Sequence, residues 1–174
     1  MEFKDLVLAR RSIRQYTDRP VTADELMYIM NAAINAPSAC NMQSWHFYVV
    51  SDPKVKEGFK EFCADWISTA PIVVVICTAG EEIVSRFGEK AKKFIIQDTA
   101  LAMENMLLAA ADIGFGGCII GAYDDDKCRA LLDIPAEYSP VALMPIGEPA
   151  VVPSARSRKP ISEVVTYIGN SFNI

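Results

Sequence analysis

Histidine is almost missing from this chain: His46 is the only one in 174 residues. It lies inside the run WHFYVV, and no G-x-S-x-G elbow occurs anywhere, which argues against a hydrolase triad and for a structural, hydrogen-bonded histidine. The phosphate-loop spacing G-x-x-x-x-G-K-[ST] is also absent. The five cysteines (Cys40, Cys63, Cys77, Cys118 and Cys128) are odd in number and contain no C-x-x-C pair. Neither a disulfide framework nor a zinc site is expected from them, and they read as reduced, mostly buried small hydrophobes. No run reaches the roughly 18 apolar residues of a bilayer span. The start, MEFKDLVLARRS, has no signal-peptide core, so the chain is expected to be cytoplasmic with no membrane partner. Positive charge is scarce: 17 Lys and Arg against 22 Asp and Glu leave a formal charge of −5. With a pI near 4.9, nucleic acid is not an expected partner.

Apolar residues, by contrast, are plentiful at 51%. The length suits a single domain over residues 1–174, which buries about 70% of the unfolded surface on folding. The apolar excess points to further buried surface, most simply a dimer interface. Helical spacing of Phe3, Leu6, Val7 and Arg10 predicts a helix over 2–10. Thr22-Ala23-Asp24-Glu25 is a capping box that opens a helix to about Asn35, ended by Pro37. Residues 36–43 read as loop, 45–50 as strand and 54–64 as helix. From Pro71, IVVVICT lacks alternation and predicts a strand buried on both faces. Residues 83–112 predict one long helix, interrupted near Gly88, whose second half is buried nearly all round and capped by Gly114. A short helix capped by Asp124, a strand at 141–147, an extended tail and a strand-like VVTYI complete the chain. Interleaved strands and helices leave α/β and α+β both open.

Two clusters concentrate cations: Arg10, Arg11 and Arg14 near one end, and Arg156, Arg158 and Lys159 near the other. Guanidinium forks suit a phosphate-bearing ligand, while solvated surface charge or a helix C-terminus explains either cluster alone. The loop Pro37–Trp45 offers a hydroxyl, two carboxamides and an indole, which suits the edge of a heterocycle; a loop bonding to its own backbone is the plain alternative. The segment GFGGCIIG follows a helix and has Ile119 where a dinucleotide fingerprint needs its third glycine. Its glycines read instead as a helix C-cap and a close backbone approach to something flat. Asp124–Asp126 read as an N-cap and first-turn acids rather than a metal site. Met103, Met106 and Leu107 read as core.

In order along the chain, RRSIRQYTDRPV, APSACNMQSW, the QD- and AA-containing buried helix, GFGGCIIGAYD, PVALMPIGEP and R-x-R-K-P together resemble the FMN-dependent nitroreductase family. The first two motifs are the specific ones. The resemblance implies an α+β fold: a nitroreductase-like three-layer sandwich, its central mixed, mainly antiparallel sheet flanked by helices, in an intertwined homodimer. It implies FMN as cofactor, with NADH or NADPH as hydride donor. Arg10, Ser12 and Arg14 would hold the ribityl and pyrimidine side, with Arg11 or Arg14 near the phosphate. Arg156 and Arg158 would clamp the phosphate, Lys159 less directly. Pro37, Ser38 and Asn41, with Gln43 alongside, would reach the flavin from the other subunit. Ile120 and Gly121 would place backbone near flavin N5. No side chain is catalytic and no metal is involved, because the chemistry resides on FMN.

The implied activity is ping-pong hydride transfer from NAD(P)H through FMN to a nitroaromatic, quinone or similar small acceptor. Alternatives are a non-catalytic FMN-storing or FMN-sensing dimer, or a narrower family activity such as dehalogenation, enone reduction or flavin destruction. Ser44 departs from the proline that the family commonly has before the loop tryptophan. The short chain leaves little room for the helical excursion that covers the pocket in larger relatives.

Overall fold

The computed structural model describes residues 1–169. Helices α1 (Phe3–Ala9) and α2 (Ala23–Ile34) lead to strand β1 (Trp45–Val50), helix α3 (Pro53–Gly58) and strand β2 (Ile72–Ala79). Helices α4 (Glu81–Phe87) and α5 (Ala91–Asp112) follow, then β3 (Gly116–Gly117), α6 (Asp125–Leu131), β4 (Tyr138–Gly147) and α7 (Ile161–Val164). The capping box forms at α2 as its spacing predicts. Thr22 Oγ1 accepts the Glu25 amide at 3.3 Å, and the Glu25 carboxylate accepts the Thr22 amide at 2.9 Å. Asp124 caps α6 by accepting the Lys127 amide at 3.1 Å.

The strands form one four-stranded sheet in the order β1-β2-β4-β3, antiparallel throughout. Antiparallel pairing with helices on both faces makes the class α+β rather than α/β. The mixed character is confined to one parallel bridge between Ser12 and Gly117. Strand β2 is buried along nearly its whole length, as its lack of alternation predicts. On one face Ile72, Val74 and Ile76 pack with Ile29, Ala33 and Met106 of α2 and α5. On the other, Val73, Val75 and Cys77 pack with Phe59, Ile67 and Cys128. These two cores define three layers. Each fully buried large side chain contributes about 1.5–3 kcal/mol, so β2, which serves both cores, is the energetic centre of the fold.

Three expectations change and one holds. Helix 54–64 stops at Gly58, after which 3₁₀ turns at Phe59–Glu61 and Asp65–Thr69 bring Phe59 and Ile67 into the core, both fully buried. The long helix is interrupted at Gly88 as expected, where a φ of +68° favours glycine. Its second half is not buried all round in the single chain: Leu101 is 45% exposed. VVTYI forms no strand: Val164 ends the short helix α7, and residues 151–168 lie exposed and pair with no strand of the sheet. Among the described residues, no helix is long and apolar enough to cross a membrane.

Candidate functional site

The first basic cluster begins where α1 ends. Arg11 turns its guanidinium back onto the helix, Nη1 donating to the carbonyls of Leu8 (2.6 Å), Ala9 (3.0 Å) and Arg10 (2.8 Å). Those carbonyls have no partner inside the helix, so a cation at this end is favoured. Beyond the helix the chain runs alongside Gly117, with the Ile13 amide donating to the Gly117 carbonyl at 3.0 Å. Ile13 is 3% exposed and leaves no room for a Cβ at Gly116, which would run into Ile13 Cγ1. The glycine segment therefore makes space for the protein's own Ile13 and sheet; the flat ligand expected there is not what requires Gly116.

Tyr16 then fastens this segment to the far end of the chain. Its hydroxyl donates to the Ile13 carbonyl at 2.7 Å and lies 3.1 Å from that of Pro145, and burial pushes its phenol well above the ordinary value. Backbone bonds Thr17 N–H to Glu148 O (3.0 Å) and Ala150 N–H to Gln15 O (2.9 Å) flank an antiparallel bridge between Tyr16 and Pro149. Thr17 Oγ1 donates to the Glu148 carboxylate at 2.8 Å. This short pairing brings the second basic cluster to the first. Arg10, Arg11, Arg14, Arg156 and Arg158 line a single cleft of about 250 Å³ together with Ser12, and no carboxylate lines it. Lys159 does not line it.

The arginines are not equivalent. Arg11 is engaged by the helix end, and Arg158 Nη1 donates to the carbonyls of Arg156 (3.1 Å) and Ser157 (3.3 Å). Arg10 makes a loose ion pair with Glu104 at 3.8 Å. Arg14 lies 5.9 Å from the centroid of the Trp66 ring. Arg156 has no partner among the described residues, which makes it the least committed guanidinium of the five. Mutual repulsion in a cleft without carboxylates leaves a demand for an anion.

The Pro37–Gln43 loop stands apart from this cleft in the single chain. Pro37 and Ser38 line a separate cavity of about 540 Å³ against α5. Cys40, Asn41 and Gln43 all adopt positive φ, at 51°, 55° and 51°, a conformation that side chains resist. Ser38 Oγ accepts the Gln43 amide at 3.0 Å, and Gln43 Nε2 donates to the Asn41 carbonyl at 3.2 Å. Ser38 and Gln43 are thus engaged by the loop itself, while the Asn41 carboxamide makes no hydrogen bond among the described residues. From α5, Asp98 reaches up and accepts the Ala39 amide on both oxygens, each at 3.1 Å. This carboxylate is 4% exposed, and burial holds it above the usual carboxylate range.

Ile120 and Gly121 differ in the same way. The Ile120 amide donates to Leu143 O at 2.9 Å and is spent on the sheet. The Gly121 amide is unbonded among the described residues, and the residue is exposed. Of the two, only Gly121 can offer an N–H to a ligand. His46 is structural, but through ring contacts: it stacks on Tyr138 at 4.3 Å and meets Tyr48 edge-on at 4.9 Å, with no side-chain hydrogen bond among the described residues.

Sequence reasoning missed Asp98 and Trp66 as site residues. Asp98 carries a signal, an acid on the buried side of an apolar helix. Trp66 carries none, because its contact with Arg14 exists only through the fold.

The Nitroreductase family matches residues 7–73 and 58–148 of this chain. The chain belongs to that family of oxidoreductases. A Methanothermobacter thermautotrophicus relative, whose name joins NADH dehydrogenase to NAD(P)H nitroreductase, is 33% identical over 162 residues, covering 90% of this chain and 82% of its own. A Bacillus subtilis relative named FMN reductase (NADPH) is 30% identical over 190 residues, covering 98% of this chain and 74% of its own. Among solved structures, a nitroreductase family protein from Clostridium novyi NT superposes with a TM-score of 0.78 at 31% identity, covering 86% of each chain.

Proposed function

We propose that this chain is an NAD(P)H-dependent FMN oxidoreductase acting as a homodimer, each flavin site combining the arginine cleft of one protomer with the Pro37–Gln43 loop of the other. The convergence of five arginines from both ends of an acidic chain on one cleft carries this proposal. Arg156, Arg10 and Arg14 would meet the phosphate tail, with Arg11 and Arg158 adding charge from their capping positions. Ser12 would contact the ribityl side. From the partner protomer, Pro37 would pack on the ring and Asn41 would bond its edge. The Gly121 amide would face N5, where a donor stabilises charge that develops on reduction. Bound there, FMN supplies hydride chemistry between NAD(P)H and a nitroaromatic, quinone or similar acceptor in a ping-pong cycle.

Dimerisation is supported by exposed apolar side chains. Phe3 (70%) and Leu8 (71%) on α1, Ile96 (52%) and Leu101 (45%) on α5, and Ile161 (67%) in the tail are exposed in the single chain and are apolar surface that an interface would cover. The test is anaerobic absorbance of the purified yellow protein. NADH or NADPH should bleach the flavin, and a nitroaromatic or quinone should restore it. Yellow protein that no nicotinamide bleaches would leave the storage alternative standing and remove the enzyme.

A further inference from the structure

A third basic cluster has no role in that scheme. Four of the seventeen Lys and Arg residues lie within Arg86–Lys93, in the connection from α4 to α5. Lys90 stands at the N-cap of α5, and Lys92 and Lys93 lie in its first turn, which holds no acidic residue. Cations are disfavoured at that end of a helix, so stability does not explain them. Lys92 is neutralised by Glu89 at 2.7 Å. Lys90, Lys93 and Arg86 are exposed and form no ion pair among the described residues. Arg86 is nevertheless held in place. Its guanidinium lies 5.1 Å from the Phe87 ring centroid, and Nη1 reaches Met42 Sδ at 4.0 Å. Met42 sits between Asn41 and Gln43, so this guanidinium, with no ion pair among the described residues, flanks the loop assigned above to the flavin.

We propose that Arg86, with Lys90 and Lys93, reads the 2′-phosphate of NADPH and so makes NADPH rather than NADH the hydride donor. The assignment rests on the flavin site proposed above. The flavin phosphate is already served by the arginine cleft, which leaves this second cationic group for an anion on the reactant that enters over the loop. A phosphate monoester suits a guanidinium fork backed by ammonium point charges, and only one of the two nicotinamides carries that group on its adenosine ribose.

The oxidised holoprotein would be titrated calorimetrically with adenosine 2′,5′-bisphosphate and with adenosine 5′-monophosphate, in wild type and in Arg86→Gln. The bisphosphate is expected to bind wild type about tenfold more tightly or better, with the advantage lost in Arg86→Gln. The NADPH-to-NADH ratio of kcat/KM should fall by the same factor, and Arg86→Lys should restore part of it. Equal affinity for the two nucleotides in wild type, or an advantage that survives Arg86→Gln, would overturn the assignment. Equal bleaching by both nicotinamides would overturn it alone, whereas bleaching by neither would overturn the oxidoreductase itself.

Discussion

In the arginine cleft the backbone is extended and relaxed, and the side chains hold unmet charge. In the Pro37–Gln43 loop the reverse is true: the backbone is contorted at three non-glycine residues, while Ser38 and Gln43 are already bonded within the loop. The cleft is prepared by electrostatics and needs an anion to relieve repulsion. The loop is prepared by conformation and is pegged from beneath by one buried carboxylate. The site proposed above, divided in this way across two protomers, would tolerate different injuries in its two halves. Substitutions in the cleft should cost ligand affinity with little effect on folding, whereas substitutions under the loop should cost both.

The cleft should show the largest effect. Replacing Arg156 and Arg158 together by Ala removes two charge-assisted contacts worth about 1.5–3 kcal/mol each. FMN affinity, followed by flavin fluorescence, should fall more than about 100-fold. Of the single variants, Arg156→Ala should be the weaker binder, because Arg158 is partly engaged by its own backbone. Unchanged retention in the double variant would detach the cleft from the flavin.

Gly121 comes next. Gly121→Pro removes the free amide and should slow flavin reduction about 100-fold. Gly121→Ala keeps that amide, and its Cβ would meet nothing within 4 Å, so stopped-flow traces of the pair separate loss of a donor from loss of space.

Under the loop, Asp98→Ala strands the Ala39 amide and should destabilise the fold by about 1–3 kcal/mol while lowering flavin occupancy. Asp98→Asn sharpens the point. Burial raises the Asp98 pKa, so wild-type stability from this group is greatest below the ordinary carboxyl value and declines as pH rises through the raised one. The Asn variant keeps an acceptor without the charge. Its stability relative to wild type should therefore grow from about pH 4 to about pH 7. Urea unfolding at the two pH values checks this, and a difference that shrinks would contradict a buried charge at the peg.

The smallest effect concerns Ser44, whose buried hydroxyl has no partner among the described residues. Ser44→Ala should stabilise the protein by about 1 kcal/mol in thermal melts. A proline there would press Gln43 toward extended backbone and away from its positive φ. The departure from the family's usual residue and the strained loop are thus one feature.

Local signals were legible in the sequence. The capping box, the unalternating β2 and the break at Gly88 each depend on residues within a few positions of one another. The basic clusters were legible as charge out of place in an acidic chain. What depended on packing was not. Arg11 and Arg158 look like their neighbours in sequence, and only hydrogen bonds to nearby carbonyls show that they are partly spent. Ile120 and Gly121 look equivalent until the Ile120–Leu143 bridge claims one amide. The 3₁₀ turns after Gly58 follow from the need to bury Phe59 and Ile67, a tertiary demand that overrides local helix propensity. The strand-like VVTYI has local strand propensity, but it pairs with no strand in the single chain.

The Tyr16–Pro149 bridge sets a schedule as well as a geometry. Its two sides lie far apart in sequence, so a nascent chain owns half a cleft until the second segment has been made. With the flavin in the cleft proposed above, cofactor loading would wait for that segment, and a product truncated before it, however well its sheet forms, would remain colourless.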